Sequence, residues 1–341
     1  MFRVLFSVIV LMMTITATAK AETRILLNCF PPSKHAICKI LGAWGDNVEA
    51  VTEGRVRVTI PAKSMAPPPE QMNSVRGGLF DATLMFNGFI ANEVAGPMVA
   101  MNPFTGSDSS QANSIALWRT YDEFFGSMDE YKDVTLLGLA VNPGANFYSM
   151  TDEPIDSLEA ATSRKMWALP GATANILKAN GGAVVSGPAA QMTEIIQRRV
   201  VDGFVGVPAN TAKAFGVVDY AKSVTRTERS IFTAVFSFFI SDEKWAEISA
   251  EDQAAIMAIS GEAFAVLAGE IFDAENSVAL AEQNAGLIEV IQASDLFYAA
   301  LQDAGKPVAA KWVGRVTDMG VDGSAMLDRY QELVSEVRES L

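Results

Sequence analysis

The stretch SRKMWALPGATANILKANGGAVVSGPAAQMTEIIQRRVVDG, Ser163 to Gly203, reads as alternating strands and helices with punctuation at every joint. Lys165 to Leu169 is a short apolar strand stopped by Pro170-Gly171. A helix follows from about Thr173 to Asn180, and Gly181-Gly182 ends it as a left-handed C-cap does, since glycine has no Cβ to clash at positive φ. Ala183 to Ser186 is the next strand, closed by Pro188. From Gln191 to Arg198, Met192, Ile195 and Ile196 share one helical face, and Val200 to Gly206 is a buried strand ending in glycine. This alternation predicts a parallel sheet, in which ligands sit beyond the carboxyl ends of the strands. Those ends are Leu169-Pro170-Gly171, Ser186-Gly187-Pro188 and Gly206-Val207-Pro208.

Working outward, Arg24 to Cys29 is a first strand, Phe30 to Ser33 a turn, and Ala36 to Val51 a helix capped by Ser33. Val56 to Ile60 is a strand, Pro67-Pro68-Pro69 opens a helix through Arg76, and Phe80 to Phe86 is a strand after Gly77-Gly78. A helix from Ala112 to Phe125 and a strand from Val134 to Val141 precede Asn142-Pro143-Gly144, a natural crossover between two lobes. Phe147 to Met150 is the next strand, Ala212 to Val217 a short helix, and Ile231 to Ile240 a strand that should return to the first lobe. Lys244 to Ala285 reads as long helices broken at Gly261 and Gly269, and Asp295 to Val313 and Ser324 to Ser340 as helices packed outside.

Lys165 to Gly171, Pro188 and the run Ile196-Gln197-Arg198-Arg199-Val200-Val201-Asp202-Gly203, with Asn102-Pro103-Phe104 upstream, resemble the solute-binding receptors of TRAP transporters, the tripartite uptake systems of bacteria. The resemblance implies a two-lobed α/β fold of the periplasmic-binding-protein type, each lobe a mixed sheet flanked by helices. Residues 22–143 would form the first lobe, completed by about 225–245. Residues 144–224 would form the second, with long helices over 246–341 bracing both. It also implies capture of a small organic solute, an organic acid first, and delivery to membrane permease subunits. One departure stands out. The family's arginine two residues before the Pro-Gly turn pairs with a carboxylate, and here that position is Ala168. Asn146 is the polar residue nearest a second customary arginine. Either Arg76, Lys165 or Lys34 substitutes, or the solute is an amine, a quaternary ammonium or a neutral molecule.

Composition agrees with a large exported protein. A chain of 341 residues, 50% of them hydrophobic, buries a core for about two domains of roughly 150 residues each. The net charge of −14 disfavours nucleic acid or an anionic membrane surface as partner. Residues 1–21 read as a secretory signal: Arg3, an apolar run from Val4 to Ile15, and Ala19-Lys20-Ala21 before the cut, which places the chain in the periplasm. Cys29 and Cys38 either pair or remain separate buried thiols. No nucleophile elbow, phosphate loop or His-Glu-x-x-His is present, and the single histidine, His35, lacks companions for a metal. No catalytic residue, cofactor or metal is expected. The readings from a different class are an exported ligand sensor and an α/β enzyme.

The candidate ligand-binding residues stand at strand ends: Phe30, Ser33, Phe86, Asn87, Phe104, Asn146, Trp167, Phe204 and Asn210. Each aromatic can equally be core. The three amides are costly to bury without a partner. Trp167, beside Ala168, would wall in an aromatic or apolar body or a quaternary ammonium.

Overall fold

The computed structural model describes residues 22–341; the expected export signal lies outside the described residues. Among these, eleven strands form two mixed sheets. They are β1 (Thr23–Asn28), β2 (Val56–Thr59), β3 (Ala82–Phe86), β4 (Val134–Val141), β5 (Asn146–Ser149), β6 (Lys165–Ala168), β7 (Ala183–Ser186), β8 (Gly203–Val207), β9 (Ser223–Arg226), β10 (Val235–Ser241) and β11 (Glu289–Gln292). The first sheet runs β2-β1-β3-β10-β4 and the second β11-β9-β5-β8-β6-β7. In the stretch that opened the sequence reading the parallel pairing is present, β6 with both β7 and β8, but the last strand starts only at Gly203 and Val200 is exposed before it. Its helices are Ala172–Ala179 and Ala189–Gln197, and Gly181 has φ +83° at the end of the first.

Strand β10 returns as expected, lying antiparallel between β3 and β4. Every residue of it is buried, as suits a central strand covered on both faces. The chain thus crosses between sheets three times, at Asn142–Ala145, just before β10, and through the helices between β10 and β11. The first two crossings run side by side: Asn142 N–H donates to Ala234 O at 2.8 Å and Ala145 N–H to Phe232 O at 3.0 Å. These two paired connecting segments form the spine between the lobes.

Helix Glu262–Glu282 packs on helix Ala36–Val51, helix Ser110–Phe125 and β4 of the first lobe, and on helix Ala209–Ala214 of the second. The expected break at Gly261 is real, with φ +58°, whereas the helix runs through Gly269. The reason for that glycine is proximity: a Cβ there would sit 2.2 Å from Gln111 Cα. Asp273, one turn on, accepts from the backbone N–H of Ser110 and Gln111 and from the Ser109 hydroxyl, closing the N-terminus of helix 110–125.

One local reading is corrected and two points that the sequence left open are filled in. Helix 36–51 is capped by His35, not Ser33: the His35 Nδ1 accepts from the Ile37 N–H at 3.2 Å, and Ser33 is exposed. Strands β9 and β11 add to the sequence reading; β11 is an exposed edge strand of mixed polarity that carries no clear period-2 signal. Cys29 and Cys38 are joined in a disulfide, their Cα atoms 5.6 Å apart. The Pro31-Pro32 turn brings the first turn of the helix back over the end of β1, which makes that approach possible.

Candidate functional site

A cavity with an empty volume of about 460 Å³, its opening included, lies between the lobes. It sits at the carboxyl ends of β1, β3 and β4 on one side and β6 and β8 on the other, where an open α/β sheet places its ligands. The first lobe supplies Phe30 and Pro31 after β1, Phe86 and Phe89 at the end of β3, Asn142 after β4, and Ala234 and Phe236 at the start of β10. From the second come Leu169 after β6, Gly206 and Val207 closing β8, Ala189, Thr211 and Phe215. The rings touch one another: Phe86 meets Phe89 edge-on at 5.2 Å and Phe236 at 5.8 Å, and Phe215 meets His35 at 5.8 Å. Such contacts hold the apolar wall in shape.

The polar part of the lining is one cluster. His35, only 3% exposed, lies with Nε2 3.2 Å from Thr211 Oγ1. Because Nδ1 takes the Ile37 N–H, the proton of the neutral ring is on Nε2 and is donated to Thr211. Burial lowers the imidazole pKa from 6.5 to about 4, so the ring is uncharged at neutral pH. Asn142 Nδ2 donates to the same Thr211 oxygen at 3.4 Å, and Asn142 Oδ1 is buried without a partner. Asn210 Oδ1 accepts from the Thr211 N–H at 2.8 Å, which leaves Asn210 Nδ2 buried and unpartnered as well. Among the described residues, none that lines the cavity is Lys, Arg, Asp or Glu.

Residues 28–315 match the profile of the bacterial extracellular solute-binding proteins, family 7. The chain belongs to that family, the TRAP solute-binding receptors. A relative from Comamonas testosteroni, the outer membrane transporter protein TsaT, is 33% identical over 317 residues, covering 93% of either chain. The TRAP solute-binding protein of Bordetella bronchiseptica solved with (R)- and (S)-mandelate superposes with a TM-score of 0.88 at 24% identity, covering 93% of this receptor and all of that one. A marine metagenome TRAP protein bound to 3-hydroxybenzoate gives 0.83 at 24% identity over 93% of this chain and 99% of its own. One from Rhodoferax ferrireducens with benzoate gives 0.84 at 18% over 94% and 99%. At these identities the solved structures establish the fold.

Of the candidates read from the receptor's sequence, Phe30 and Phe86 line the cavity. Asn210 abuts it through Thr211. Asn87 is fully buried outside the lining; its Oδ1 accepts from Ser237 Oγ at 2.8 Å, and Ser237 in turn meets the Tyr131 hydroxyl at 2.6 Å. Trp167 and Phe204 are core, both 0% exposed, because central strands of this sheet are covered on both faces; Phe204 stacks on Tyr148 at 4.5 Å. Phe104 packs edge-on against Tyr298, Asn146 reaches the Tyr148 hydroxyl at 3.5 Å, and Ser33 is exposed. None of those three lines the cavity. The substitute cations lie elsewhere too. Arg76 pairs with Glu93 at 2.7 Å, Lys165 is exposed at the opposite end of β6, and Lys34 is exposed. Sequence reading missed His35, Asn142, Thr211, Phe89, Phe215 and Phe236. In the sequence His35 is a lone histidine without metal-ligating companions and Asn142 an ordinary turn residue. The proximity of Thr211 to Asn210 was the one available signal.

Proposed function

We propose that this receptor is exported to the periplasm, captures a small aromatic acid between its lobes, and delivers it to the membrane permease subunits of a TRAP transporter. The observation that carries the reading is the cavity itself, an apolar slot walled by five phenylalanines with a single polar cluster at one side. A planar ring bearing one acidic group matches that distribution. The solutes found in three relatives of the same fold, mandelate, 3-hydroxybenzoate and benzoate, have that shape. The ligand stabilises the closed state by its differential affinity for it, with the paired crossing segments as the flexing element.

A thermal-shift screen of the chain from Glu22 to Leu341 tests this against aromatic carboxylates, aromatic sulfonates, aliphatic acids, amines and quaternary ammonium compounds. Binding to the native state alone stabilises by about 2.7 kcal/mol at a ligand concentration 100 times Kd. Stabilisation by aromatic acids and not by aliphatic ones is the expected result. A shift confined to cationic solutes would replace the reading with cation–π capture.

A further inference from the structure

A receptor for acids with no cation in its cleft needs another source of positive potential. The polar cluster stands at the N-terminal end of the sixteen-residue helix 36–51, where His35 is the cap. Helix N-termini favour negative charge and direct N–H groups toward it. That alone does not make a site. The second observation is Asn142, 3% exposed, on the cavity wall, with Oδ1 bonded to nothing.

The hydrogen bonds within the cluster have a direction. Ile37 N–H donates to His35 Nδ1, and His35 Nε2–H to Thr211 Oγ1. Asn142 Nδ2–H donates to the same oxygen, so both lone pairs of the Thr211 hydroxyl are filled. Its own proton must therefore point to another acceptor. Asn210 Oδ1 takes it at 3.5 Å, a contact as long as the 3.4 Å one from Asn142 Nδ2, and already holds the Thr211 N–H at 2.8 Å, so a solute oxygen at ordinary distance displaces it. Thr211 thus offers a donor at the cavity, and Asn142 Oδ1 beside it offers an acceptor.

We infer that this pair reads the solute's head group, the Thr211 hydroxyl donating to an acidic oxygen and Asn142 Oδ1 accepting from a neighbouring hydroxyl, with His35 as the positioning residue. The solute is then an aromatic hydroxy acid, bound without a countercharge. This rests on the proposed aromatic-acid function and refines it. The imidazole stays neutral on binding because both nitrogens are engaged in the uncharged form and the ring is buried. Charges on the packed elements are already matched: Lys39 with Glu275 at 2.6 Å and Lys213 with Glu282 at 2.5 Å, and Lys34 is exposed to solvent. Burial is the one cause that moves the His35 pKa.

Calorimetric titration with mandelate and with phenylacetate, which lacks only the hydroxyl, separates the possibilities. Mandelate should bind about 5- to 10-fold more tightly, the effect of one hydrogen bond to a buried neutral acceptor. Thr211→Val should weaken both by about 10- to 100-fold, as loss of a donor to a charged group does, and Thr211→Ser should restore most of it. Asn142→Leu should abolish the preference for mandelate over phenylacetate, whatever it does to the affinity for both acids. His35→Asn keeps the cap and loses the donor to Thr211, so it should weaken both acids. Between pH 6 and 8 the wild type should bind with no proton uptake, measured in two buffers of different ionisation enthalpy. Equal affinity for the two acids, an unaffected Thr211→Val, or uptake of one proton per ligand each overturns the inference while leaving an aromatic-acid receptor in place. Failure of every aromatic acid to bind the wild type overturns the functional reading instead. Should Thr211→Val not fold, the acid preference and the proton count still decide.

Discussion

Both sides of the cleft are built from carboxyl ends of strands, yet they carry opposite side chains. The first lobe sets four phenylalanines on its strand ends, Phe30, Phe86, Phe89 and Phe236, while the strand ends of the second, after β6 and β8, present Leu169, Gly206 and Val207. Three large aromatics of the second lobe, Trp167, Tyr148 and Phe204, lie in its own core, and among the described residues Phe215 is that lobe's one ring on the cavity. The difference teaches that one lobe supplies the surface for a ring and the other a close-fitting backbone face. Polar recognition comes from the seam, where His35 and Asn142 of one lobe meet Thr211 of the other. In the family's usual arrangement an arginine on the β6 end does that work; Ala168 here is wholly buried, with its carbonyl bonded by Ser186 Oγ at 3.0 Å.

The largest expected effect tests this division directly. Trp167→Ala should cost about 3–5 kcal/mol of stability in a urea titration, as emptying a buried tryptophan site does. Phe89→Ala, at a half-buried cavity position, should cost less than about half of that and instead weaken solute binding. Near-native stability of the Trp167 variant would move that residue from core to cleft. Next in size is the first lobe's own brace: Cys29→Ser opens a loop of about ten residues and should lower stability by about 2–3 kcal/mol on the chain-entropy account. Thermal unfolding of the variant beside reduced and oxidised wild type checks this.

The seam can be examined by pH. His35 has its pKa lowered from 6.5 to about 4, so below pH 6.5 the unfolded chain takes up a proton that the folded chain refuses. Its contribution is intact above pH 6.5, declines as pH falls toward 4, and changes no further below that. Between pH 7 and 5 the loss should be about 2 kcal/mol, read as the difference between wild type and His35→Asn, which removes the titrating group. Identical pH dependence of the two would show that the imidazole is solvated. The smallest effect concerns the second lobe's backbone face. Gly206 has φ +95°, and a Cβ on it would lie 3.1 Å from Leu169 Cβ, so Gly206→Ala should cost about 1–2 kcal/mol and narrow the slot. Unchanged stability and affinity would mean that the close fit is not needed.

Much of the fold was legible because its signals are local. The Pro-Gly and Gly-Gly stops between Lys165 and Gly203 mark element ends through backbone sterics, and the apolar run into Ile240 announces a central strand by burial on both faces. Strand β11 was not legible, since an exposed edge strand is specified mainly by its partner β9. The candidate site was legible only in part. Phe30 and Phe86 were found because they follow β1 and end β3, but the sequence does not say which end-of-strand aromatics turn outward; Trp167 and Phe204 turn into the core.

By itself the sequence determined the two-lobed plan and the family, and the resemblance sets Ala168 where an arginine is customary, all of which depend on the order of elements and the identity of single residues. Only the tertiary structure decided what stands in its place. His35, Asn142 and Thr211 are separated by 107 and 69 residues along the chain, as the hydrogen bonds His35–Thr211 and Asn142–Thr211, spanning 176 and 69 residues, make plain. Each is an ordinary cap, turn or helix residue in its local setting. They become one polar cluster because the paired crossing segments and helix 262–282 hold the lobes together, and burial then gives their hydrogen bonds a strength and direction that no local pattern encodes.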